Sequence, residues 1–101
     1  MTPYREAYTE AALEDILAIA AYLEARRKGL GKAFRNELDT VISTLLDFPE
    51  SAPVVSDRGV RRRLLTRFPY TVLYVLRDDL LLVLAVAHTS RAPDYWRNRS
   101  D

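Results

Sequence analysis

The chain has no cysteine, and its 101 residues include one histidine, one tryptophan and three glycines. The absence of cysteine excludes disulfides and Cys-based zinc sites, and it fits a reducing compartment. No basic-then-apolar stretch opens the sequence, and its longest apolar run, Leu80–Ala87, is too short to span a bilayer. The expectation is a cytoplasmic protein with no membrane partner. No residue pattern asks for a cofactor or a metal.

What is present is ordinary for a globular chain: 49% hydrophobic and 29% charged residues. That is enough for a single domain over residues 1–101 with one modest core. The net charge of +1 hides an asymmetry, because positions 1–57 carry −4 and positions 58–101 carry +5. All nine basic residues of the second part are arginines, which fork onto phosphates and carboxylates. An anionic partner, or simply a solvated arginine-rich surface, would account for them.

Tyr4–Tyr8 has the makings of a short strand, and Thr9 of a helix N-cap, with Glu10, Glu14 and Asp15 at the positive end of the helix dipole. Tyr8 can staple onto Leu13. Leu13, Ile16, Leu17, Ala20 and Leu23 recur at helical spacing, so a first helix is expected over Glu10–Arg27, broken by Gly29 and Gly31. Phe34, Leu38, Val41, Ile42 and Leu45 form the stripe of a second helix ending at Phe48-Pro49. The short link makes the two an antiparallel hairpin. After a loop over Glu50–Arg58 the period becomes strand-like, with candidate strands at Val60–Phe68, Tyr70–Arg77 and Leu80–His88.

A two-residue turn at Asp78-Asp79 sets Arg77 opposite Leu80. One face of that hairpin then carries Thr71, Leu73, Val75, Leu82, Leu84, Val86 and His88. The other carries Tyr70, Val72, Tyr74, Leu76, Leu81, Val83, Ala85 and Ala87. Both faces are apolar, so both must be covered. The helices are expected on the Tyr70/Val72/Tyr74/Val83/Ala85 side, with small Ala85 and Ala87 letting them approach. Trp96 of the tail, or another chain, is expected over the opposite floor. In the preceding strand Arg61, Arg63 and Arg67 share one face and Val60, Leu64 and Phe68 the other, a pattern that also suits a charge-protected edge.

A helical hairpin followed by "VRRRLLTRFPYTVLYVLRDDLLLVLAVAHTSRAPDYWRNR" resembles the RelE/ParE superfamily of bacterial type II toxins, also known as plasmid stabilisation proteins. The likeness is carried by Val60-Arg61, Phe68-Pro69-Tyr70, Tyr74, the acidic turn, and the ending His88, Arg91, Pro93, Trp96. It implies an α+β fold of order β-α-α-β-β-β, an antiparallel sheet with the helical hairpin on one face and a short C-terminal tail. It also implies a cognate antitoxin whose tail wraps the toxin in a hetero-oligomer.

Two activities occur in that superfamily. RelE-like members cut mRNA on the ribosome; ParE-like members poison DNA gyrase and cut nothing. The nucleases resembled here carry an arginine directly after the tyrosine that Tyr70 matches, where this chain has Thr71. Their lysines in the preceding strand fall near Arg62 and Leu64, and another arginine follows the last strand near Arg91. The sequence favours the ParE-like branch and growth arrest through gyrase. Target contacts are then expected at Arg61, Arg67, Arg91, Tyr95, Trp96 and Arg97, and antitoxin contacts at Leu73, Leu82, Leu84 and Val86. Under the nuclease alternative His88 is base or acid, Arg91 and Arg63 hold the phosphate, and Tyr95 stacks on a base or donates a proton. A lone strand-end histidine bonding a backbone carbonyl is the plain structural alternative, and a non-toxic antitoxin-binding member is a third reading.

Overall fold

In the computed structural model, which describes residues 3–91, strand β1 (Arg5–Tyr8) leads into helices α1 (Glu10–Arg26) and α2 (Leu30–Asp47). Strands β2 (Arg61–Leu64), β3 (Tyr70–Arg77) and β4 (Leu80–His88) follow. The order is the expected one, and both long strands begin and end where the pattern set them. The strands lie in the order β1-β4-β3-β2. β2, β3 and β4 pair antiparallel, but β1 joins β4 in parallel, so the sheet is mixed rather than antiparallel throughout. The long excursion through the helices, β2 and β3 returns the chain beside β1 in the same direction, which a tight hairpin could not do. Both edge strands are four residues long and charged (Arg5 and Glu6; Arg61 to Arg63), which discourages further strand pairing. Among the described residues, no helix is long and apolar enough to cross a membrane.

The turn pairs Arg77 with Leu80 as expected, and Asp78 takes the left-handed conformation at φ 56°, which a short polar side chain tolerates. Further along, the register slips. Leu73 faces Ala85 while Tyr74 faces Val83, so β4 carries one extra residue, a β-bulge at Leu84. Beyond it the alternation reverses. Val86 joins Tyr70, Val72, Tyr74, Leu81 and Val83 on the helix side, while Leu84 and Ala85 both join Leu73, Val75 and Val60 on the other. The expected faces therefore hold up to Leu84 and are corrected after it: Ala85 does not lie under the helices, and Val86 does. α1 absorbs the polar groups that the bulge frees. The Thr9 hydroxyl donates to the Leu84 carbonyl at 3.2 Å, and the Asp15 carboxylate accepts from the Val86 N–H at 3.0 Å.

Thr9 is also the N-cap, accepting from the Ala12 N–H at 3.0 Å. With the helix pinned to β4 at Thr9 and Asp15, its buried face runs through Ala12, Ile16 and Leu23. Leu13 and Leu17, expected in the core stripe, are 48% and 61% exposed. The α2 stripe is buried as expected at Phe34, Leu38, Val41, Ile42 and Leu45. Gly29 serves as the left-handed cap of α2 at φ 92°. Gly31 is no breaker: it lies inside α2, where a Cβ would come within 2.7 Å of the Ala20 carbonyl oxygen, so it is glycine that lets the helices touch. Both helices lie on one face of the sheet. The opposite face is buried too, with Leu73 and Leu84 each under 5% exposed. The expectation that Trp96 covers it concerns residues outside those described.

Candidate functional site

The expected site residues fall at the end of β4 and along β2. His88 closes β4 opposite Tyr70, its ring edge-on to that tyrosine at 5.4 Å. Its Nδ1 accepts the Ser90 N–H at 3.0 Å and lies 2.8 Å from the Ser90 hydroxyl. The neutral ring therefore carries its proton on Nε2, and its one basic lone pair is already engaged. The Arg91 N–H bonds the His88 carbonyl at 3.0 Å, and the Thr89 N–H bonds the Pro69 carbonyl at 2.9 Å. His88 thus organises a local turn as the acceptor of a backbone N–H, where the plain structural alternative expects a bond to a backbone carbonyl.

The arginines of β2 do not converge on it. Register sets Arg61 opposite Tyr74 and Arg63 opposite Val72, both on the helix side of the sheet. Arg61 is employed there, donating to the Glu50 and Ala52 carbonyls at 3.1 and 2.7 Å, and so ties the 50–58 loop to the sheet. Tyr74 completes that anchor through a 2.7 Å bond to the Pro49 carbonyl. Burial pushes the Tyr74 phenol above its usual range. Arg63 shares the helix side with His88 but belongs to the Val72–Val86 row, one same-face step from the Tyr70–His88 row and two strands from β4. Strand spacing and rise put their Cα atoms about 12 Å apart.

Arg67 leaves the strand in the β2–β3 loop, its guanidinium 5.4 Å from the Phe68 ring centre. Phe68 packs on Phe34 of α2, so the expected sharing of a face by Val60, Leu64 and Phe68 ends with β2 at Leu64. Tyr95, Trp96 and Arg97 lie outside the described residues. The proposed antitoxin floor is divided: Leu73 and Leu84 are buried on one face, Val86 on the other, and Leu82 is half-buried.

The face opposite the helices is where the resemblance would set phosphate-binding cations. Here Leu64 pairs with Thr71, Thr71 with Ala87, and Arg62 with Leu73. Thr71 is buried and bonds the Arg63 carbonyl at 3.3 Å. Among the described residues of this face near Thr71, Arg62 is the one exposed cation of β2. Stabilising a charged phosphoryl transition state takes several preorganised donors, and among the described residues the neighbours of Thr71 on this face are Leu64, Leu73 and Ala87, with Arg62 beside them.

Two features escaped the sequence reading. Asp15 and Glu37 act as backbone clamps, the latter accepting the Thr66 and Arg67 N–H groups. Tyr22 and Arg26 form an i,i+4 pair, with Arg26 Nη1 donating to the Tyr22 hydroxyl at 3.1 Å, and that spacing was the legible signal. Leu13 and Leu17 rim a groove of about 290 Å³ floored by Ile16 and Leu38 and edged by Arg35 and Asp39.

Residues 7–93 match the family described as the ParE toxin of the type II toxin–antitoxin system parDE. A search of curated proteins by sequence returned no match. Among solved structures, the chain is similar to the chromosomal ParDE toxin–antitoxin system from P. aeruginosa, with a TM-score of 0.74 and 15% identity over 84% of this chain and 95% of that one. It is also similar to the isolated E. coli RelE toxin, with a TM-score of 0.65 and 18% identity over 93% of each chain. A third similar structure is the intact E. coli RelBE toxin–antitoxin complex, at 0.66 and 18%, over 87% of this chain and 99% of that one.

Proposed function

The chain belongs to the ParE toxin family of type II toxin–antitoxin systems, and from that premise we propose that it arrests growth by disabling DNA gyrase and is neutralised by a cognate antitoxin. The observation that carries this reading over a ribosome-dependent endoribonuclease is the surface around Thr71. Where a nuclease needs a cluster of cations, this chain has Leu64, a buried Thr71 and Ala87. His88 adds to it, because the lone pair a general base requires is committed to Ser90.

The antitoxin finds its surface on α1. Leu73, Leu84 and Val86 are already buried within the chain, whereas Leu13 and Leu17 stand exposed beside an apolar groove. An amphipathic antitoxin segment can lay its apolar side there.

The test measures gyrase supercoiling and ribosome-dependent mRNA cleavage, for wild type and for His88→Ala. Both proteins are expected to inhibit supercoiling and neither to cut mRNA. A catalytic base contributes about 10²–10⁴-fold to rate. Ribosome-dependent cleavage that falls by that factor in His88→Ala, with gyrase untouched, overturns the proposal. No effect in either assay marks a non-toxic binder and overturns it as well.

A further inference from the structure

Along the sequence, charge divides by position, acidic first and basic later. The fold redistributes it. Phe34, in the second turn of α2, meets Phe68 and Tyr70 at 6.0 and 5.6 Å, and Tyr70 meets His88. Tyr22 and Arg26 both act electrostatically on the Tyr70 phenol. The tip of the helical hairpin, the β2–β3 loop and the turn after β4 therefore meet at one end of the sheet. That end gathers Arg26, Arg27, Lys28, Lys32, Arg67 and Arg91, all of them exposed. Four of the six come from the acidic part of the sequence.

Two carboxylates at this end, among the described residues, are committed to backbone. Glu24 accepts the Gly29 and Gly31 N–H groups, each at 3.0 Å, and Glu37 accepts those of Thr66 and Arg67. Asp78 and Asp79 sit at the far end of the β3–β4 hairpin, where Asp79 pairs with Arg5 at 3.4 Å. Two of the guanidiniums are preorganised on rings: Arg26 is 5.6 Å from the Tyr22 ring centre and Arg67 is 5.4 Å from that of Phe68.

We propose that this basic pole binds the phosphodiester backbone of duplex nucleic acid, independently of base sequence. The choice of a polyanionic backbone over a protein rests on what the described residues of the pole lack. A protein interface needs an apolar centre, and among the described residues the exposed large apolar side chains Leu13, Leu17, Phe48, Val54 and Val55 lie away from this end, while Leu64, paired with Thr71, is on the sheet face opposite the helices. Tyr22 is the exception, and it is taken up with Arg26. Clustered cations without an apolar patch suit phosphate contacts, which position a protein on a duplex without reading bases. In the gyrase setting the pole contacts the DNA segment held by the enzyme. The inference rests on that reading only for its setting, since the test needs no gyrase.

The test is fluorescence anisotropy of the full chain with a short DNA duplex, and with an RNA duplex of the same sequence to separate the two sources. Engagement of about four cations gives a slope of log K against log salt near −3.6 on DNA. The triple variant Arg26→Glu, Arg27→Glu, Lys32→Glu is expected to lose more than about tenfold in affinity and to flatten that slope by about 2–3. A charge-matched control, Arg5→Glu, Arg58→Glu, Arg77→Glu, is expected to lose much less, and far-UV circular dichroism checks that both variants fold. Equal losses in the two triples reduce the effect to net charge and overturn the proposal. Binding that ignores the pole substitutions overturns it, and so does a polyglutamate peptide that competes as well as a duplex.

Discussion

One oxygen atom, Thr9 Oγ1, does two jobs that can be taken apart. It accepts the Ala12 N–H at 3.0 Å as the cap of α1 and donates to the Leu84 carbonyl at 3.2 Å across the β4 bulge. Loss of a cap costs about 1 kcal/mol, and loss of a partly buried hydrogen bond costs about 1 kcal/mol more. Thr9→Ala is therefore expected to destabilise the fold by about 2 kcal/mol, lowering the melting temperature of a domain this size by roughly 8–16 °C. In urea the midpoint falls by about 1–2 M at an ordinary m-value. Thr9→Ser keeps both bonds and should lie within about 0.5 kcal/mol of wild type. Thr9→Asp separates the two, because a carboxylate caps the helix but has no proton for Leu84; it should still lose about 1 kcal/mol. The assay is urea denaturation followed by far-UV circular dichroism. If Thr9→Asp is as stable as wild type, or Thr9→Ala costs no more than a cap, the hydroxyl does not hold the bulge and the account of α1's rotation fails.

Two further outcomes follow from the same geometry. Burial pushes the phenols of Tyr8, Tyr70 and Tyr74 above their usual range, so the folded chain holds these protons more tightly than the unfolded chain does. Their contribution to stability is complete below about pH 10, the unfolded value, and is lost as pH rises above it toward the folded values. Absorbance titration at 295 nm should show these tyrosines ionising late and together with alkaline unfolding; early, reversible ionisation of all of them would contradict their burial. On α1, Leu13→Asp with Leu17→Asp should change stability by less than about 1 kcal/mol, since both side chains are exposed. The pair should weaken neutralisation by the antitoxin in a growth-rescue assay, and full rescue would remove α1 as the docking surface.

Much of the fold was legible because its signals are local. A 3.6-residue period marks α2 through Phe34, Leu38, Val41, Ile42 and Leu45, a threonine before acidic residues marks the start of α1, and the two long strands end at polar residues. The family resemblance was carried by the same C-terminal stretch. The bulge at Leu84 was not legible. A face assignment reads polar residues as markers of register, and in β4 both faces are apolar, so an extra residue leaves no trace in the pattern. Its consequences propagate: Ala85 and Val86 exchange faces, and the expected antitoxin floor divides between two cores.

Element order, the two helices, the hairpin with its turn, and the excess of arginine in the second half all follow from the order of residues alone. The rotation of α1 is set by long-range contacts, because Thr9 and Asp15 fix it to β4 through bonds spanning 75 and 71 residues. That rotation leaves Leu13 and Leu17 in solvent, although their spacing matches that of core residues. Charge obeys the same division. Its sum is a property of composition, but its field depends on distance, and folding brings Arg26, Arg27, Lys28 and Lys32 beside Arg67 and Arg91 at one end of the sheet.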